Sequence, residues 1–352
     1  MFRWYAYALV CYAYLSDYVD SEDDTREQLG SSRWFQRGWT LQELIAPTDV
    51  EFYDSTWTLF GSRLGLSTEI SSITGIDRRI LHRKEAYLSR VYSKRCNHKR
   101  EEGLVIRNCI DCRVEHANSN RNYGPNCLFR ERTIRQLLNK YGVSNRMSWA
   151  AERRTTRAED IAYCLLGIFD TNMPLLYGEG GVRAFRRLQM EIARHSPDHS
   201  LLAWGGRFEG TFRSGRYPGL ADSPTHFRDG HLFEPIQGGG SSITVSDKGF
   251  ELSVNLARCV GYQTTGVNDA EFTRYGKQLW LAVLDCARGS DHFTMPALIL
   301  DRTSESSNSF RRSRWAGRLW WHCLPLVSLG SGSYQDHIGE RFLWVKSVAR
   351  QN

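Results

Sequence analysis

The chain has 352 residues, 41% hydrophobic and 24% charged, which is enough for two domains with a sizeable core in each. Its net charge of +7 is concentrated in residues 93–146, which hold twelve Lys/Arg against five Asp/Glu, so basicity gives no case for a nucleic-acid partner outside that segment. Nine irregularly spaced cysteines do not form a secreted disulfide framework and read as reduced thiols, and eleven Trp with sixteen Tyr forecast many buried rings.

In chain order, Met1 to Tyr7 reads as the end of a helix and Val10 to Leu15 as a short buried strand. Residues 4–15 imitate a signal peptide, but the run is tyrosine-rich and no small-x-small cleavage site follows it. No other apolar run approaches the ~20 residues that span a bilayer, so a cytoplasmic protein with no membrane segment is expected. Ser16-Asp17 falls at the carboxyl end of the strand, where α/β folds place ligand-facing residues.

After an acidic loop, Ser31 or Ser32 is positioned to cap a helix that Pro47 ends near Ala46. On one continuous helix Phe35, Trp39 and Glu43 follow at i, i+4 and i+8, along one face. A carboxylate behind two rings is partly desolvated and needs a partner, with Arg33 and Arg37 at hand. Spacing alone leaves two readings open, a buried ion pair and a chemical group. Val50 to Asp54 alternates as a second strand and Leu66 to Ile76 reads as a helix, so residues 1–92 suggest an α/β unit with a parallel sheet.

Residues 93–145 break the pattern and are expected to be a disordered basic insertion. Cys109-Ile110-Asp111-Cys112 is a CxxC, but a zinc module usually shows two close ligand pairs, so no metal site is expected. Order resumes at Arg146-Met147-Ser148-Trp149, opening a helical connector over 146–204. There Thr156 and Glu159 read as a capping box, Ile161 to Ile168 and Val182 to Ile192 recur at helical spacing, and Gly178-x-Gly180-Gly181 reads as a plain helix start rather than a phosphate cradle. His195, His199 and His322 read as isolated core or surface residues. Residues 205–352 read as a β-rich domain, with a hairpin signal at Asp247-Lys248-Gly249 and strands at Leu279 to Leu284, Ala297 to Leu300 and Phe342 to Val345.

The stretches Met1 to Tyr5, Cys11 to Asp17, Ser32-Arg33-Trp34-Phe35-x-Arg37-Gly38-Trp39-Thr40-Leu41-Gln42-Glu43-Leu44 and Phe52-Tyr53-Asp54 closely resemble the fungal heterokaryon-incompatibility (HET) domain. Arg146 to Ala150, Thr155 to Phe169 and Asn172 to Gly180 look like the segment that follows it in the same proteins. The resemblance implies non-self recognition and programmed cell death, with other signalling proteins or further copies of the chain as partners. The HET domain is in turn similar to Toll/interleukin-receptor (TIR) domains, in which a strand ending near a Ser precedes a helix with Trp-x-x-x-Glu. Leu15-Ser16 and Trp39 to Glu43 match that order.

In enzymatic TIR members that glutamate serves NAD cleavage. The resemblance therefore singles out Glu43 as catalytic, with Trp39 and Ser16 as substrate-binding residues, NAD as substrate and no resident cofactor. A positioned carboxylate suits this chemistry, because breaking the nicotinamide–ribose bond builds positive charge on the ribose. The family pattern begins before Met1 and runs almost directly from Leu88-Ser89 to Arg146. The implied architecture is thus a truncated TIR-like α/β unit, a helical connector and a β-rich C-terminal domain. The departures imply a misplaced start, a retained intron over 90–145, and no intrinsic activity in the chain as it stands. Three readings remain open: an assembly module in incompatibility signalling, an NAD hydrolase acting through Glu43, and an inactive gene-model fragment.

Overall fold

In residues 1–140, the first of two units into which the chain divides, the chain opens with helix α1 (Phe2–Tyr7) and strand β1 (Val10–Tyr14). Short helices α2 (Arg26–Ser31), α3 (Arg33–Gln36) and α4 (Thr40–Ile45) then lead to β2 (Asp49–Tyr53) and β3 (Leu59–Ser62). Helices α5 (Ser67–Thr74), α6 (Arg78–Leu81) and α7 (134–138) complete the described part of the unit. This computed structural model describes residues 1–8, 10–20, 26–82, 134–205, 220–236, 242–246, 249–258, 279–288, 294–302, 309–312, 324–325 and 343–349. Of the disordered insertion expected over 93–145, residues 93–133 with the CxxC lie outside the described residues, as does His322, whereas 134–145 are ordered, with Ile134 and Leu138 of α7 buried in the core.

β1 and β2 pair in parallel, Val10 opposite Asp49 through Tyr14 opposite Tyr53, and β3 adds antiparallel to β2. Alternation sets the two faces. Ala13, Val50 and Phe52 are buried on one, with Trp34 and Phe35 of α3 against Phe52 at 5.4 and 6.1 Å between ring centroids. Tyr12 and Tyr14 stand on the other, and Tyr12 is exposed.

The continuous helix expected over 31–46 is broken. α3 stops at Gln36, Arg37 is extended (φ −79, ψ 136), and α4 begins after Trp39. Gly38 gives the backbone freedom to turn there, and the Thr40 hydroxyl lies 2.6 and 2.7 Å from the Trp34 and Arg37 carbonyls that the break releases. Phe35 therefore leaves the Trp39–Glu43 face and joins the core.

Behind α4 sits Arg63, whose guanidinium is fully buried yet donates to four carbonyls: Leu44, Pro47, Thr48 and Leu81, at 2.7 to 3.2 Å. It gathers the end of α4, the entry to β2 and the end of α6 on one cation, which also suits the negative end of a helix dipole. Burial pulls its pKa down to about 10, opposed by the nearby Asp49 carboxylate, so it stays charged at neutral pH.

Residues 141–352 form the second unit. α8 (Val143–Ser148), α9 (Asp160–Tyr163), α10 (Leu166–Phe169) and α11 (Gly181–His195) bury Met147, Leu165, Phe185 and Leu188. Two 3-10 segments, His199–Leu202 and Pro224–Leu232, pack with them. The buried Gln189 amide grips residue 221 from both sides, donating to its carbonyl at 2.8 Å and accepting from its N–H at 3.0 Å. Packing thus crosses residue 204, the expected boundary between the helical connector and the β-rich domain.

Strands follow: β4 (Phe233–Pro235), β5 (Thr244–Ser246), β6 (Gly249–Arg258), β7 (Leu279–Val283), β8 (Cys286–Arg288), β9 (Thr294–Met295), β10 (Ala297–Arg302), β11 (Ser309–Arg312), β12 (Leu324–Pro325) and β13 (Leu343–Ala349). β13 pairs with both β11 and β6, so β6, β7, β10, β11 and β13 form a closed circuit, antiparallel except at β11–β13. Closure removes the exposed edges of an open sheet.

Candidate functional site

Glu43 lies in the middle of α4, partly exposed, with Trp39 half-buried one turn earlier at the helix N-cap. Trp39 keeps helical dihedrals (φ −66, ψ −30), so the two side chains share a face despite the break before them. The partner of the carboxylate is Tyr5, whose hydroxyl donates to Glu43 Oε1 at 3.0 Å. Burial, the Glu43 charge and this hydrogen bond all push the Tyr5 phenol above its ordinary value. Cys11, a half-buried free thiol on β1, completes the cluster. Burial and the Glu43 charge push its pKa up to about 11, with Arg63 opposing. Tyr5 and Cys11 have no sequence signal toward Glu43, because the Tyr5 contact spans 38 residues of chain.

Arg33 is committed elsewhere. Its backbone N–H and Nε both donate to Asp17 Oδ2, at 2.8 and 3.2 Å, while the Ser32 hydroxyl donates to Asp17 Oδ1 at 2.8 Å. Burial works against the Asp17 charge, but these donors outweigh it and hold the carboxyl below the usual range. Ser16 is exposed in this turn, with Arg33 Nη2 3.5 Å from its hydroxyl. Cys11, beside Glu43, stands near the start of β1 and Ser16 just past its end, roughly 16 Å of extended chain away. Ser16 thus belongs to the carboxyl-end turn and Glu43 to the cluster with Tyr5 and Cys11.

Beside that turn Asp54 builds a second loop. Its carboxylate accepts from the Asp20, Thr56 and Thr58 amides and the Thr56 hydroxyl, and the Thr56 hydroxyl contributes most to lowering its pKa. The loop holds Trp57 at φ +61, a left-handed conformation unusual for a bulky residue, stacked on Tyr14 at 4.4 Å and 12°.

In the second unit, Glu159 does not close a capping box with Thr156. It is the N-cap of α9 without a side-chain cap bond, and its Oε1 accepts from the Gly178 and Gly180 amides at 2.9 and 3.0 Å. Hydrogen bonds from its own amide and those two hold the carboxyl below its ordinary range. The concave backbone of the glycine loop (φ +98 and +86) is therefore filled by the protein's own carboxylate and not offered to a phosphate. Among the isolated histidines, His195 is exposed at the end of α11, whereas buried His199 accepts from the Asp285 amide at 3.3 Å.

Among the described residues there is no cluster of His, Cys, Asp or Glu able to hold a metal, and no helix long and apolar enough to cross a membrane. A domain of unknown function (DUF8212) matches residues 183–237, from α11 through β4. No solved structure matches the chain. Over 200 residues the chain is 32% identical to the vegetative incompatibility protein HET-E-1 of Podospora anserina, a similarity that spans 55% of this chain and 11% of that protein.

Proposed function

We propose that this chain acts in vegetative incompatibility, in the cytoplasm, as an assembly module that passes a non-self signal to a cell-death effector. The observation that carries this reading is the 32% identity over 200 residues to a vegetative incompatibility protein. Conditional expression of the chain in fungal hyphae, with vital-dye uptake and light scattering of the purified protein, tests it. Dye uptake together with higher oligomers is expected. Normal viability with a monodisperse monomer would sink it.

One observation favours a second reading, NAD cleavage. Glu43 is partly exposed, one oxygen is fixed by Tyr5, and Trp39 is at hand to wall the same face. A carboxylate so oriented can stabilise the cation that forms as the nicotinamide–ribose bond breaks, nicotinamide leaving with the bonding pair and water supplying the new oxygen. Residual NAD is to be compared for the wild type and Glu43→Gln. Equal loss in both removes the enzyme reading and leaves the assembly reading intact.

A further inference from the structure

The loop over 172–180 has no regular secondary structure, yet its backbone is fixed from within. Beyond the Glu159 contacts, the Tyr163 hydroxyl accepts from the Leu176 amide at 2.8 Å and donates to Glu179 at 3.1 Å. Arg187 donates to Glu179 and to the Pro174 carbonyl, and the Tyr177 hydroxyl donates to Asp160 at 2.9 Å. Leu175, Leu176 and Tyr177 of this loop are 52, 50 and 48% exposed, and Val182 in the first turn of α11 is 45% exposed.

We propose that this face docks an apolar segment of a partner protein flanked by carboxylates. Charge identifies the occupant. Arg157 lies over the Tyr177 ring at 4.5 Å and Arg183 adjoins Val182, both exposed. The nearby Asp160 and Glu179 carboxylates are already engaged by Tyr177, Tyr163 and Arg187. Tyr and Arg are among the residue types enriched at interface hot spots, and a pre-formed loop loses little entropy on binding. A second copy meeting this face head-on would set Arg157 and Arg183 against their own mates, which disfavours a symmetric dimer. The surface is independent of any chemistry at Glu43.

The test is selection of displayed random 16-residue peptides on the immobilised full chain, with counter-selection on the Leu175→Ser/Leu176→Ser variant. Enriched peptides should pair aliphatic residues with Asp or Glu. They should bind the wild type at least tenfold more tightly than Arg157→Glu/Arg183→Glu, which keeps both leucines. Unchanged melting of both variants shows that the fold is kept. No enrichment over the leucine variant, enrichment of basic peptides, or leucine-dependent dimerisation or binding to phosphatidylserine vesicles would each overturn the proposal.

Discussion

At the scale of single residues, unit one is organised by two long side chains reaching across the sequence. Arg63 and Tyr5 each make their decisive contact with α4 or its end, Arg63 through the Leu44 carbonyl and Tyr5 through Glu43. Cys11 makes the second of these measurable. Its thiol pKa, about 11, is raised first by burial and then by the Glu43 charge. Glu43→Gln removes that charge and leaves the burial, so the thiol pKa should fall part of the way. At a fixed pH of about 8.5 the thiolate fraction, and with it alkylation at Cys11, should rise several-fold. Mass-spectrometric alkylation rates at the Cys11 peptide check this. An unchanged rate would place the carboxylate away from the thiol.

At the scale of elements, sequence and structure part where contacts become non-local. Strands β1 and β2 were legible because alternation and apolar content coincide in them, as was α11, whose apolar residues recur at helical spacing over 15 residues. Strand β3 was not, since Leu59–Ser62 is short and contains a glycine. The break before α4 was hidden because Gly38 and Thr40 are tolerated inside a helix pattern, and only the released Trp34 carbonyl shows what Thr40 does. Spacing placed Glu43 on the face of Trp39 and left its role open, the family resemblance alone singled it out, and nothing in the sequence pointed to Tyr5. Glu159 is the clearest case: capping spacing was present, but two glycine amides nineteen and twenty-one residues on took the carboxylate instead. Its lowered pKa has a consequence for the loop. A depressed folded-state value gives stability that is present above the ordinary glutamate range and is lost as pH falls through the folded value. Wild type should therefore melt above Glu159→Gln at pH 7, and the difference should shrink as pH falls below the ordinary glutamate range. A difference that stays constant on acidification would assign the effect to shape and not charge.

At the scale of the whole molecule, each unit carries its own core and its own vulnerable point. In unit one that point is Arg63. Replacing it with Met leaves four buried carbonyls without a donor, and breaking such an arrangement costs about 3–5 kcal/mol. In unit two it is Gly230, where a β-carbon would come within 2.2 Å of the Ser144 carbonyl oxygen. That oxygen is backbone in α8 and cannot step aside, so Gly230→Ala forces apart the 3-10 segment Pro224–Leu232 and α8, at about 1–3 kcal/mol. Two cores predict two unfolding transitions, and the two substitutions should act on different ones. Calorimetry should show Arg63→Met lowering one transition by several degrees while the other keeps its temperature, with Gly230→Ala doing the reverse. A single transition that both variants shift equally would mean that the chain unfolds as one cooperative body.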